Sequence, residues 1–233
     1  MSDNIHRPKD VRAAIFDLDG VIISSKVAEY ESWRRVFRVF NSNLTLQQWV
    51  KIIDSPDGVF DPATVLRQKC KIELLANGQI ETMRTNLYES LRRELVALPG
   101  IVGLIKECTS MDLMLGVASN GDHTKVMYHL GRLKLLRYFH VIKCRDDVRN
   151  KKPAPDIYMA TVRDLGVNPG TVVVFEDSPP GITAAKAAGL YCIGCPNKIT
   201  KYLDLSEADE ICKSFKRFSM QEFINPANKL TRL

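Results

Sequence analysis

Two short acidic pairs and one lysine hold the chemical promise of this 233-residue chain. The first pair, Asp17 and Asp19, follows the apolar run Ala13-Ala14-Ile15-Phe16 and precedes Gly20. Such a run reads as a buried strand, and open α/β sheets bind ligands beyond the carboxyl ends of their strands. Acids spaced i, i+2 would share one side of an ideal strand, which is costly unless positive charge sits between them. A divalent cation is the simplest such charge, and hard carboxylate oxygens suit Mg²⁺. Gly20 allows a sharp turn or a close approach to a ligand. The second pair, Glu176 and Asp177, ends the run Val172-Val173-Val174-Phe175. Ser178 is placed to cap the helix that Pro179 and Pro180 open.

Between these pairs lie two further polar groups. Leu113–Ala118 runs into Ser119-Asn120-Gly121, where a hydroxyl, an amide and a following helix N-terminus make an anion cradle. Either Ser119 or Asn120 could instead simply cap that helix. Lys152, in Lys151-Lys152-Pro153-Ala154-Pro155-Asp156, is stiffened by the prolines after it. A fixed ammonium lowers charge repulsion at a phosphate, although a Lys-Lys-Pro turn alone reads as a solvated loop. Two acidic pairs, a hydroxyl and an ammonium, all at or just beyond strand ends, together read as one constellation rather than coincidence.

The elements that must position these groups alternate along the chain. Apolar runs at Val11–Phe16, Leu113–Ala118, Val141–Lys143, Val172–Phe175 and Tyr191–Gly194 are separated by helical patterns at Ile101–Thr109, His123–Leu130, Ile157–Leu165 and Ile182–Ala188. That order predicts a parallel sheet with helices on both faces. Between Val27 and Val96 the rhythm changes to amphipathic helices at Val27–Phe40, Thr45–Ile53, Pro62–Asn77 and Ile80–Val96. Asn41-Ser42-Asn43, Ser55-Pro56-Asp57-Gly58 and Asn77-Gly78 are turn signals between them. Four consecutive helices cannot all be crossovers. The expected architecture is therefore an α/β Rossmann-like core, residues 1–26 and 97–233, with an inserted α-helical cap, residues 27–96.

Composition narrows the class. Hydrophobic content of 45% and charged content of 26% are ordinary for a globular protein. The polar stretch Met1–Arg7 offers no apolar core for a signal peptide, and no run approaches the ~18 apolar residues of a membrane span. The expectation is a cytoplasmic protein without a membrane partner. Cys70, Cys108, Cys144, Cys192, Cys195 and Cys212 form no disulfide framework. The lone C-x-x-C at Cys192 and Cys195 lacks a second pair, so both read as buried structural thiols. The formal charge of +6 is dispersed, with only short clusters such as Arg34-Arg35 and Arg92-Arg93. It argues against a nucleic-acid partner and suits attraction of small anions.

With these residues in view, the chain resembles the haloacid dehalogenase-like hydrolase superfamily. Its four signatures appear in order as FDLDG at Phe16–Gly20, ASN at Ala118–Asn120, KPAPD at Lys152–Asp156 and FEDSPPGI at Phe175–Ile182. The resemblance implies a phosphatase in which Asp17 is the nucleophile and forms an aspartyl-phosphate. It implies that Asp19 protonates the leaving oxygen and then activates water, with neighbouring carboxylates raising its pKa. Mg²⁺ is implied at Asp17, Asp19 (through its backbone carbonyl), Glu176 and Asp177, and the phosphoryl oxygens at Ser119, Asn120 and Lys152. The helical cap is implied to close over the site. The expected substrate is a small phosphorylated metabolite such as a sugar phosphate, and the expected assembly a monomer or weak homodimer.

Related phosphosugar mutases, of the β-phosphoglucomutase kind, tend to carry a histidine where this chain has Glu29, and Ser24-Ser25 departs from a frequent acid in that stretch. A phospho-receiver or silent binding protein is the alternative from another class, but receivers do not use D-x-D spacing on the first strand. Trp33, Tyr30, Phe60 and Lys26 are candidates for substrate selection, the apolar ones equally suited to a cap core.

Overall fold

Ala13–Phe16 is fully buried because it is hydrogen-bonded to a parallel strand on each edge. In the computed structural model, residues 7–8, 10–53, 61–70 and 77–226 are described. In chain order they form β1 (Ala13–Phe16), α1 (Ser25–Val39), α2 (Leu46–Ile53), α3 (Pro62–Cys70), α4 (Asn77–Arg93), α5 (Ile101–Ser110), β2 (Met114–Ala118) and α6 (His123–Arg132). There follow β3 (Val141–Lys143), α7 (Asp156–Leu165), β4 (Val172–Glu176), α8 (Pro179–Ala187), β5 (Tyr191–Gly194), β6 (Glu210–Ile211) and α9 (Met220–Ile224). The strands pair in the order β3-β2-β1-β4-β5-β6, every pair parallel. This is the Rossmann-like α/β sheet that the alternation of apolar runs predicts. No helix among the described residues is long and apolar enough to cross a membrane.

The chain divides into two compact units. The α/β unit comprises residues 1–23, 96–197 and 204–233, and the helical unit residues 24–95 with 198–203. Within the first, α7 packs on β2 and β3, and α8 on β4 and β5. Strand Phe16 stacks on Phe175 at 4.9 Å between centroids, with Phe139 edge-on to Phe16 and Phe218 edge-on to Phe175. This aromatic layer ends one residue before Asp17 and Glu176, so it fixes the strand ends from which both acids emerge.

In the helical unit, Trp33, Val36, Phe37, Leu44, Trp49, Leu66 and Ile80 form a buried cluster joined by Ile199. Residues 198–203, expected in the α/β core, belong here because Ile199 inserts into that apolar cluster. The Asn77-Gly78 turn signal is also corrected, since both residues lie in the first turn of α4. Glycine and asparagine at a helix start cost little, so α4 begins there and ends at Arg93 rather than Val96. Trp33 and partly buried Tyr30 belong to the cluster, and the Tyr30 hydroxyl donates to the Leu44 carbonyl at 3.1 Å. Phe60 and the Ser55–Gly58 turn lie outside the described residues.

Phe16→Ala should remove a ring packed on two others and leave a cavity, costing about 3–5 kcal/mol. The urea unfolding midpoint of the α/β unit checks this; a shift equivalent to under about 1 kcal/mol would show that the aromatic layer does not anchor β1.

Candidate active site

Phe16 is the register partner of both Val117 and Phe175, so the next residues, Asp17, Ala118 and Glu176, leave the sheet side by side. Asp17 continues the ladder by one backbone hydrogen bond, donating to the Phe175 carbonyl at 3.0 Å. Into this row reaches Lys152. Its ammonium donates to Asp17 Oδ1 at 2.7 Å, to the Ala118 carbonyl at 2.8 Å and to Glu176 Oε1 at 2.5 Å. Three protons meet three acceptors, which satisfies a cation that is only 5% exposed. The face of Tyr158 lies 4.8 Å below the same nitrogen.

Glu176 is fully buried and held from four sides. Oε1 accepts from Lys152 and from the Tyr158 hydroxyl at 2.6 Å, and Oε2 from the Asp177 backbone at 3.0 Å and Ser178 Oγ at 3.2 Å. These four donors match the capacity of a carboxylate. Asp17 differs, because no described residue donates a hydrogen bond to its Oδ2.

Asp177 is also fully buried, and Asn197 Nδ2 donates to its Oδ2 at 2.7 Å and to the Gly20 carbonyl at 3.2 Å. Gly20 has φ +103°, and a Cβ there would lie 1.9 Å from Asp177 Oδ2. Only glycine allows this turn and this contact together. One carboxylate oxygen each from Asp17, Glu176 and Asp177 lie within 4.8 Å of one another, all on buried residues. Hard oxygen donors so grouped suit a small divalent cation.

The two acids of the first pair do not act as strand neighbours. β1 ends at Phe16, so alternation of side chains no longer governs Asp17 and Asp19. Asp19 lies in the turn that follows and its Oδ2 accepts from Lys125 Nζ at 2.7 Å. Glu176, Asp177 and Asp19 all crowd Asp17.

Ser119 and Asn120 sit beside Lys152, in roles the sequence did not separate. Neither caps α6; that place is taken by Asp122, whose side chain accepts from the Lys125 backbone. Asn120 spends its amide on Lys152, accepting from its backbone N–H at 3.0 Å and donating to its carbonyl at 3.3 Å. Ser119 Oγ accepts from the Gly121 backbone at 3.1 Å. Ser178 caps α8 as expected, with prolines in the first turn. Lys125, Asn197 and Tyr158 were not anticipated. The one available signal was for Asn197, a polar residue just past the carboxyl end of β5.

Comparison with known proteins points to one family. The family model described as haloacid dehalogenase-like hydrolase matches residues 14–195. YhcW of Bacillus subtilis (strain 168) is 31% identical over 94% of this chain and 98% of its own. A phosphorylated carbohydrates phosphatase of Thermotoga maritima is 31% identical over 77% of this chain and 82% of its own. Among solved structures, CbbY from Rhodobacter sphaeroides in complex with phosphate has 26% identity and a TM-score of 0.65, over 89% of this chain and 96% of that one.

Burial pushes the Asp17 carboxyl up to about 7; Lys152 pulls it down, while Glu176, Asp177 and Asp19 push it further up. Burial alone would lower the Lys152 ammonium, but Asp17 and Glu176 reverse this and hold it above the ordinary lysine range. A carboxyl raised in the fold stabilises it while protonated, and that contribution drains away as pH climbs from the unfolded value through the folded one. Lys152→Met removes the one cation opposing this rise and orphans two buried acids. The variant should lose about 3–5 kcal/mol at pH 8 and recover part of that at pH 5, where protons neutralise the acids. Denaturant unfolding of both proteins at the two pH values tests the sign; a deficit that does not change with pH contradicts it.

Proposed function

The chain belongs to the haloacid dehalogenase-like hydrolase family and is a phosphoric monoester hydrolase; on that premise we propose a Mg²⁺-dependent phosphatase that hydrolyses a small phosphorylated carbohydrate through an aspartyl-phosphate on Asp17. The observation that carries this reading is the Lys152 ammonium bound to Asp17, Glu176 and the Ala118 carbonyl. It holds one oxygen of Asp17 and opposes the rise that burial imposes on its carboxyl, while Oδ2 is left without a donor among the described residues. That is what a carboxylate nucleophile requires. The substrate class follows the Thermotoga maritima relative, whose name gives phosphorylated carbohydrates.

In this reading Asp17 attacks phosphorus and the bond to the leaving oxygen breaks, that oxygen taking a proton from Asp19. Asp19 then accepts a proton from water, which attacks the aspartyl-phosphate, releases inorganic phosphate and restores Asp17. Lys125 holds the Asp19 carboxylate during this exchange. The Ser119 hydroxyl faces the transferring oxygens, the Lys152 ammonium lends them fixed positive charge from beside Asp17, and Asn120 serves by clasping the Lys152 backbone. Asp17 and Asp177 side chains and the Asp19 carbonyl are the proposed metal ligands. Glu176, with its four donors, is assigned instead to fixing Lys152. Mg²⁺ bound there would draw negative charge off the phosphoryl group. The helical unit is assigned the choice of leaving group, with Trp33 and Tyr30 committed to its core. We place the enzyme in the cytoplasm, as a monomer or weak homodimer.

Asp17→Asn should cut phosphate release from sugar phosphates by about a thousandfold or more while leaving the circular dichroism spectrum unchanged. Substantial turnover in that variant contradicts the mechanism. Asn197→Ala should raise the Mg²⁺ concentration for half-maximal stabilisation against heat by about 10–100-fold, with a smaller effect on kcat at saturating metal. An unchanged Mg²⁺ midpoint would remove Asn197 from the metal site.

A further inference from the structure

Strands β5 and β6 are parallel neighbours with Gly194 opposite Ile211, so the next residues in register are Cys195 and Cys212. The register holds one step further, because the Cys212 backbone donates to the Gly194 carbonyl at 2.8 Å. Both residues are buried, at 3% and 6% exposed, and the Cys195 thiol donates to the Ile193 carbonyl at 3.4 Å. Residues opposite each other on adjacent parallel strands have the backbone spacing a disulfide needs. All six cysteines are free, and the hydrolytic chemistry uses neither of these.

The two thiols are unequal. Cys212 lines an open cavity of about 560 Å³ with Lys213, Ser214 and Lys216. The neighbouring Cys195 side chain and then the Ser214 backbone hold Cys212 below the ordinary thiol range, against its burial. Burial pushes Cys195 well above that range. Cys212 is thus the better nucleophile, and Cys195 stands beside it in register.

We propose that Cys195 and Cys212 are an oxidisable dithiol that hydrogen peroxide closes to a disulfide, and that closure reversibly lowers turnover at the neighbouring site. The Cys212 thiolate attacks one peroxide oxygen, the O–O bond breaks, and hydroxide leaves as water after protonation. Cys195 sulfur then attacks the resulting sulfenic sulfur; its S–H proton and the departing hydroxyl leave as a second water. Two thiols lose two electrons in total, and one peroxide is reduced to two waters. The path to the site is short. The Cys195 N–H donates to the Glu176 backbone carbonyl at 2.6 Å, and Gly194 is the register partner of Glu176. Movement of Cys195 towards Cys212 therefore pulls on the residue that fixes Lys152.

The activity half rests on the hydrolase reading; the thiol half does not, and the two are read separately. The full-length protein is titrated with hydrogen peroxide, alkylated, digested without reductant and mapped by mass spectrometry. A Cys195–Cys212 linked peptide is expected, with loss of about 2 Da reversed by dithiothreitol. Turnover should fall by about tenfold or more and return with the reductant. Cys195→Ser should trap Cys212 as a dimedone-reactive sulfenic acid, and Cys212→Ser should keep its turnover under peroxide. No linked peptide, linkage between other cysteines such as Cys192 and Cys195, or linkage without loss of turnover would each overturn the proposal. A reduced protein with no phosphatase activity would count against the hydrolase reading alone.

Discussion

A single ammonium group lets the carboxyl edge of this sheet exist. Asp17 and Glu176 emerge from adjacent strands at the same level, and Asp177 follows directly, so the sheet gathers buried acids where like charges repel. Lys152 lies between them, bonded to Asp17, Glu176 and a strand-end carbonyl. Buried ion pairs are a poor route to stability, since well-packed apolar residues of similar volume would often do as well or better. Their value here is positional. A cation whose three protons all have acceptors cannot swing away, and neither can the Asp17 oxygen it holds.

The surrounding residues tighten the same constraint. Gly181 lies in the first turns of α8, an interior position where glycine is less favourable than alanine by about 1 kcal/mol. A Cβ there would stand 2.0 Å from the Glu176 carboxyl carbon, so the helix accepts that cost to let the acid fold beneath it. Gly20 makes the matching concession to Asp177. Both glycines belong to the FDLDG and FEDSPPGI stretches, and in each the small residue makes room for an acid from β4's end. Asn197 ties the two stretches together by bonding to Gly20 and Asp177 at once.

This division explains what could be read from sequence. Apolar runs ending in acids, Lys152 before its proline and Ser178 before Pro179-Pro180 are local patterns, and local patterns name strand ends and caps directly. The pairing of acids with cations is not local. Lys125 meets Asp19 across 106 positions and Lys152 meets Asp17 across 135, so sequence could nominate Lys152 by its stiff turn but gave Lys125 no distinguishing mark. Asn120 carried the right chemistry for an anion, and its amide also bonds the Lys152 backbone, a partner 32 residues away that spacing could not reveal. Two-residue β6 is too short to show any period, and without it the register that brings Cys212 beside Cys195 is invisible. The C-x-x-C spacing pairs Cys195 with Cys192, a residue inside β5 and not across from it.

Glu176 and Asp17 show how one row of acids acquires different duties. Both are buried and both touch Lys152, but Glu176 accepts four hydrogen bonds and Asp17 keeps Oδ2 clear of described donors. A carboxylate with every lone pair engaged is a poor nucleophile and a poor ligand, yet an excellent fixed point. One with an open oxygen is reactive, and burial makes it more so by stripping away the water that would otherwise stabilise its charge. Burial also drives such a group to take up a proton, which is the direction in which Asp17 is pushed. Reactivity and ionisation therefore pull against each other, and Lys152 reconciles them only if it is held where Asp17 needs it. Glu176, Tyr158 and the Asn120 clasp supply that hold.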